Sequence, residues 1–450
     1  VLNNEYPLEP LFGRILSPFQ RFIRRTTAGG IVLSVTTALT LVAASVFGDD
    51  ALHHFFEQPF VLGVGSRFEL KLTLHHLIND GLMALFFLMV GFELKREILV
   101  GELSSMRDAA LPVFAAAGGM IVPAGIYAAL NVGTPAAAGW GIPMATDIAF
   151  AVGILVLLAW RIPKNLIVFL MALAIADDLG AVIVIAAFYT ADLRVEYLWA
   201  SGAITALLIL LNRAGVRRAL PYALLGFPLW FFVHASGVHA TLAGIILAFS
   251  IPSVPKVGAI DFLNRIKELR EAFLQQREDQ STGDNPLNNS EMAAVAEAIE
   301  SAAVAVQSPL QRLEHGLTPW VTFVVIPLFA VANAGIDLAA VKWGSALGNP
   351  LTIGVALGLV VGKFIGIGAF SWVAVKMGLA RLPTDVEWKH VLGAAWLAGI
   401  GFTMSLFIAQ LAFTSAAMVE QAKIGILVGS AISAIVGLVW LYMASIKRAA

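Results

Sequence analysis

Cysteine is absent from this 450-residue chain. That excludes disulfides, thiol nucleophiles and cysteine-ligated metal centres. Charge is scarce too: Asp, Glu, Lys and Arg supply 13% of the residues, against about 25% in an ordinary soluble domain. The 29 basic and 30 acidic residues leave a formal net charge of −1, which argues against nucleic acid as a partner. The eight histidines are scattered, and His53–His54 and His75–His76 are adjacent rather than at helical ligand spacing. A structural metal is therefore not expected. No phosphate-cradling P-loop occurs, and no nucleotide or other cofactor is implied.

Apolar sequence is what the chain has in excess. Hydrophobic residues make up 59% of it and the mean hydropathy is +0.83, where a soluble domain holds about 45–50% apolar residues. Runs near 20 residues recur, the length at which a helix crosses a bilayer's hydrocarbon core. The class is an all-α polytopic membrane protein in a lipid bilayer. Twelve transmembrane helices are expected, at roughly 28–48, 74–94, 109–130, 141–159, 165–189, 196–213, 219–235, 237–252, 318–334, 350–375, 389–413 and 421–446. Residues 28–252 carry the first eight and 318–446 the last four. A segment 1–27, a polar loop 253–317 and a short tail 447–450 remain outside.

Basic residues alternate from loop to loop. Arg14, Arg21, Arg24 and Arg25; Lys95, Arg96 and Arg107; Arg161 and Lys164; Arg213, Arg217 and Arg218; Lys376, Arg381 and Lys389; and Lys447 and Arg448 fall on one side. The other side holds only Arg67, Lys71, Arg194, Lys342 and Lys423. The positive-inside rule then places both termini in the cytoplasm. PLFGRILSPFQRFIRR (10–25) is basic and amphipathic and is expected to lie on the inner membrane surface rather than to be a cleaved signal. In the loop 253–317, Ile266, Leu269 and Phe273 form an apolar stripe within a helical pattern. In the outer loop, VLGVGSRFELKLT alternates polar and apolar residues after a glycine turn. That predicts a periplasmic β-hairpin over about 58–73, whose free edge suits pairing with a second copy in a homodimer.

Within this greasy sequence, ionisable residues stand out. Asp147 lies in GIPMATDIAFA, Asp177 and Asp178 in ALAIADDLGAV, and Lys363 in GLVVGKFIGIG, all well inside spans, with Asp80 nearer the outer end of its own. Each such residue costs roughly 2.5–3.5 kcal/mol at a helix centre, so residues of this kind mark ion or proton routes. Neighbours on an α-helix point about 100° apart. Asp177 and Asp178 therefore cannot address one partner alike: one is expected to face a water-filled funnel and the other a helix carrying Lys363. A carboxylate that holds either a proton or a cation makes an exchanger. GIPMATDIAFA (141–151) and GIGFTMSLFIA (399–409) are equally long and both broken by Gly, Pro or Thr. Paired broken helices in two halves are the signature of an inverted-repeat transporter, and Asp147 and Lys363 are placed to neutralise the exposed helix ends.

At these residues the sequence resembles the NhaA family of bacterial sodium/proton antiporters. The matching segments are NDGLMALFFLMVGFELKREI (79–98), GIPMATDIAFA, MALAIADDLGA (171–181), SGVHATLAG (236–244), PLFAVANAG (327–335), VGKFIGI and GIGFTMSLFIA. They follow one another from the second span to the eleventh and cover most of the chain. The resemblance implies a bacterial inner-membrane protein with inverted repeats, the fourth and eleventh helices broken and crossing. It implies exchange of cytoplasmic Na⁺ or Li⁺ for external H⁺, electrogenic, serving sodium and pH homeostasis. Carried over by motif, Asp178 is the main ion ligand and proton carrier, Asp177 the second carboxylate and Lys363 its partner. Thr146 and Asp147 fall at the helix crossing, and Asp80 faces outward. Glu93, Arg96, Glu97, His239 and Glu314 fall where the family places pH-response residues near the cytoplasmic funnel.

Two rivals stand beside this. A sodium-coupled symporter of related fold needs an organic-substrate pocket, which the sequence does not identify. Intramembrane enzymes call for a DDxxD magnesium site or a GxGD motif, neither of which occurs. An enzyme is not expected.

Overall fold

The computed structural model describes residues 27–48, 54–63, 69–190, 193–278 and 290–445. The basic amphipathic segment 10–25, the hairpin tip with Arg67 and the tail 447–450 lie outside them. The chain is almost wholly helical. Among the described residues nine helices are long and apolar enough to cross a membrane, and a pair bent by 48° makes a tenth. Two shorter apolar helices add to these.

The first long helix, α1 (Thr27–Phe47), leads to a hairpin of β1 (Pro59–Gly63) and β2 (Glu69–Thr73). These pair antiparallel, Pro59 opposite Thr73 and Gly63 opposite Glu69. Thr73 then caps the next helix, its side chain accepting from His76 N. That helix, α2 (Leu74–Val100), widens to a π turn at Leu77–Leu82. Ser105 caps α3 (Met106–Asn131) through Asp108 N. A 3₁₀ run at Pro135–Met144 precedes α4 (Ile148–Leu157), and the long α5 (Lys164–Phe188) carries both adjacent aspartates. Three helices follow: α6 (Val195–Arg213), α7 (Ala219–Ala235) and α8 (Thr241–Ser250).

The polar stretch folds into two helices, α9 (Ala259–Glu278) and α10 (Ser290–Ala305). The next membrane helix, α11 (Pro309–Asn333), starts nine residues ahead of its apolar run at 318. The reason is local: Ser308 caps it through Gln311 N and Pro309 occupies the first turn, where its missing N–H is harmless. The remainder are α12 (Pro350–Lys376), α13 (Trp388–Leu397), α14 (Phe402–Ala412) and α15 (Ala416–Ser445).

Two apolar cores hold these together. The larger joins α2 to α5 with α11 to α15. The smaller binds α6, α7 and α8 to Phe92 of α2 and Leu310 of α11. In the larger core α3 and α12 touch backbone to backbone. A Cβ on Gly118 would stand 2.2 Å from the Gly366 carbonyl oxygen, and one on Gly366 would stand 2.1 Å from that of Gly118. Glycine at both positions lets the helices meet, which fixes where Lys363, one turn away on α12, enters the core. Outside, large apolar side chains such as Leu39, Phe227 and Ile435 are exposed, as suits helices solvated by lipid.

Candidate functional site

Two helices stop in mid-membrane, and their ends meet. Between the 3₁₀ run and α4, Ala145 and Asp147 are extended; between α13 and α14 the chain unwinds at Ala398–Gly401. An unwound segment in hydrocarbon must find partners for its backbone groups. Here each break supplies them to the other. Asp147 N donates to Ile400 O at 2.6 Å, Thr146 Oγ1 to Ala398 O at 2.8 Å and Ser405 Oγ to Ile142 O at 2.7 Å.

The N-termini of α4 and α14 both converge on the Asp147 carboxylate. Oδ1 accepts from Phe150 N at 3.1 Å; Oδ2 accepts from Thr403 N at 3.0 Å and from Thr403 Oγ1 at 2.5 Å. One negative charge thus caps two positive helix ends. The residue is buried, so with these donors the charge is compensated where it sits.

Asp177 and Asp178 are consecutive residues in one turn of α5 and are buried. Their divergence is plain. Asp177 Oδ2 accepts from Lys363 Nζ at 2.5 Å, and Asp177 also faces Thr146 at the break. Lys363 is itself fully buried. It follows a π turn at Gly358–Gly362, and the extra residue in such a turn re-aims what comes after it. Lys363 is bonded to Asp177, while the break carbonyls are met by N–H and hydroxyl donors.

Neither oxygen of Asp178 has a hydrogen-bond partner in the protein. The residue opens instead on a cavity of about 380 Å³, which also touches Asp147, Thr403, Glu93, Met171 and Thr318. A buried carboxylate without donors is costly unless it takes a proton or a cation. The cavity gives both access.

The remaining predicted residues divide into two groups. Glu93 lines the cavity. Next to it Arg96 pairs with buried Glu314 at 3.5 Å and approaches Glu97 at 3.9 Å. These four form one cluster. His239 stands apart from it: its ring bonds the Tyr189 carbonyl, and its ionisable neighbours are Asp80 and His234. Asp80 lies in the π turn of α2, its carbonyl accepting from Trp230 Nε1 at 3.0 Å.

Several members are inconspicuous in the sequence. Thr403 and Ser405 sit inside GIGFTMSLFIA, where hydroxyls beside glycine at a helix break are the local signal. Lys95 reads as a loop charge but caps the end of α8, donating to the carbonyls of Ala248 at 3.3 Å, Phe249 at 2.8 Å and Ile251. Buried Asn333 exchanges hydrogen bonds with Asn79 and meets His75, a contact between helices some 250 residues apart that no local pattern announces.

A rigid binding pocket has no need of two helices broken and laced together in a membrane core. A carrier does, because such a crossing can be shifted without losing a continuous backbone ladder. The fold and site together define a secondary transporter whose cargo is small and positively charged. Comparison with known sequences gives the family. The model for "Na⁺/H⁺ antiporter 1" matches residues 20–441, and the chain belongs to that family. A "Na(+)/H(+) antiporter NhaA" of Syntrophobacter fumaroxidans is 60% identical over 439 residues, covering 98% of this chain and 93% of the relative. That of Acidithiobacillus ferrooxidans is 55% identical over 437 residues, 96% and 99% of the two chains. A third, "NhaA 1" of Saccharophagus degradans, is 46% identical over 447 residues, 98% and 95%.

Proposed function

We propose that this Na⁺/H⁺ antiporter works by competition of cation and protons for Asp178. The observation that carries this is the donor-free Asp178 carboxylate at the end of the cavity, beside an Asp177–Lys363 pair. Cytoplasmic Na⁺, or Li⁺, enters past Glu93 and binds deprotonated Asp178, with Asp177 released from Lys363 as second ligand. The crossing of α4 and α14 then turns the site outward past Asp80. Protons displace the cation there and are carried in. Asp147 and Thr146 keep the helix ends compensated in both states. More protons than sodium ions move per cycle, so one net charge inward is driven by about 2.3 kcal/mol per 100 mV.

The architecture follows the same reading: twelve spans with cytoplasmic termini in the bacterial inner membrane, the fourth and eleventh broken, related by inverted repeat. Reciprocity supports the repeat. Counting from Gly141 and Gly399, Asp147 and Ser405 hold equivalent places, and each donates to the equivalent isoleucine carbonyl, Ile400 or Ile142. Glu93, Arg96, Glu97 and Glu314 set the pH response at the cavity mouth, and His239 acts, if on pH, from the Asp80 side. The periplasmic hairpin at 58–73 joins two copies into a homodimer. A cysteine introduced there should cross-link dimers; recovery of monomer alone would remove this contact.

The decisive measurement is Na⁺-dependent proton flux in proteoliposomes. Asp178→Asn should fall to the level of protein-free vesicles, and Lys363→Ala should be strongly impaired. Undiminished exchange by Asp178→Asn overturns the site. A rate indifferent to a clamped membrane potential overturns the electrogenic cycle.

A further inference from the structure

The helical pair α9–α10 carries a feature that ion exchange does not use. Phe262 shares a cleft with Ala294 and Ala298 of α10, and Leu269 and Met292 are the buried residues of the pair. The stripe of Ile266, Leu269 and Phe273 falls on this inner side. If the pair simply stood in water, the other side of α9 would be polar. Instead Ile260, Leu263 and Leu274 are 76%, 65% and 40% exposed. Together with exposed Lys267 and Arg270 they recur at intervals of three and four, one continuous stripe of an α-helix. Asp261 and Glu268 lie roughly 120–140° around the helix from its centre, while Glu271 borders it and Glu278, in the last turn, shares the azimuth of Ile260.

The pair is also held close to the membrane. Lys256 N and Val257 N donate to Ala305 O at 3.1 and 3.2 Å, and Leu310 N donates to Pro252 O at 3.2 Å. These bonds tie its two feet together where they pass directly into α8 and α11. At the feet, Arg217, Arg218, Lys256 and Arg312 line one cavity of about 500 Å³. A helix with an apolar stripe set among basic residues, tethered at the end of membrane spans, has the make-up of an interfacial helix.

We propose that α9 lies on the adjacent bilayer surface, its partner an anionic lipid surface. Ile260, Leu263 and Leu274 enter the boundary between headgroups and acyl chains, while Lys267 and Arg270 meet lipid phosphates. Charge complementarity and the short tether single out the membrane as occupant.

A chain without cysteine allows a clean test. Ile260→Cys, Leu263→Cys and, as the flank control, Glu268→Cys are labelled with an environment-sensitive fluorophore in the full-length protein. The protein is reconstituted in phosphatidylcholine vesicles with or without phosphatidylglycerol. With phosphatidylglycerol present, a spin-labelled lipid should quench the labels at 260 and 263 several-fold more than that at 268, and aqueous iodide should show the reverse order. Combining Lys267→Glu with Arg270→Glu should abolish the difference. Equal lipid quenching at all three positions overturns the proposal. So does shielding of 260 and 263 from lipid quencher and iodide alike, which marks a protein partner or a second copy.

Discussion

Asp147 and Asp178 line the same cavity, yet their carboxylates are treated in opposite ways. Asp147 accepts three hydrogen bonds from the ends of two helices, whereas Asp178 accepts none from the protein. The first is a fixed charge that completes a broken scaffold. The second, in the mechanism proposed above, is the ligand for which cation and protons compete. Burial alone distinguishes nothing here, since both are buried; the donor count does.

This contrast can be broken most severely at Asp178. Asp178→Asn should abolish Na⁺-driven proton flux while leaving thermal unfolding in detergent unchanged or raised, because an unsatisfied buried charge is removed. In the wild type, lowering the pH should weaken apparent Na⁺ affinity, as protons and cation share one carboxylate. A marked loss of stability in Asp178→Asn would show that Asp178 is structural after all.

Lys363→Ala strands Asp177 in the core and should destabilise the protein by about 3–5 kcal/mol, the usual consequence of halving a buried ion pair. Adding Asp177→Asn should recover much of that stability without recovering exchange. Failure of the double variant to recover would mean that Lys363 is anchored by more than its partner.

Asp147→Ala comes next, at about 2–4 kcal/mol, since Thr403 N and Phe150 N lose an acceptor at capped helix starts. Asp147→Asn keeps an acceptor and should lose visibly less on thermal denaturation. The smallest effect is expected from Thr403→Val, which keeps the backbone bond to Asp147 but loses the hydroxyl, about 1.5 kcal/mol. If Asp147→Ala and Thr403→Val were equally mild, Asp147 would not be the clamp of the crossing.

Much of the fold is legible along the chain, because membrane spans are local. Solvation by hydrocarbon forces about 20 apolar residues per crossing, and nine long helices and one bent pair among the described residues follow ten of the twelve expected runs, while Ala219–Ala235 and Thr241–Ser250 are shorter. The start of α11 is less legible, since Ser308 and Pro309 begin it in polar sequence. Strands β1 and β2 pair antiparallel within the stretch 58–73, where alternation is confined to the second strand. For the site, the aspartates and Lys363 are conspicuous because charge is expensive in lipid. Lys95 and Asn333 are not: one looks like a loop cation and the other like an ordinary polar residue, and only packing gives them partners.

By itself the sequence determined most of the spans, the charges set within apolar runs and the fact that adjacent carboxylates must diverge, since all three follow from composition and helical geometry within a few residues. Tertiary structure decided which carboxylate met Lys363 and which the cavity. It also drew the N-termini of α4 and α14 to Asp147, set His239 beside Asp80 rather than Glu93, and left one stripe of α9 uncovered. Those outcomes depend on groups up to 256 residues apart. Their energies arise only when helices pack closely enough for donors, acceptors and charges to leave water together.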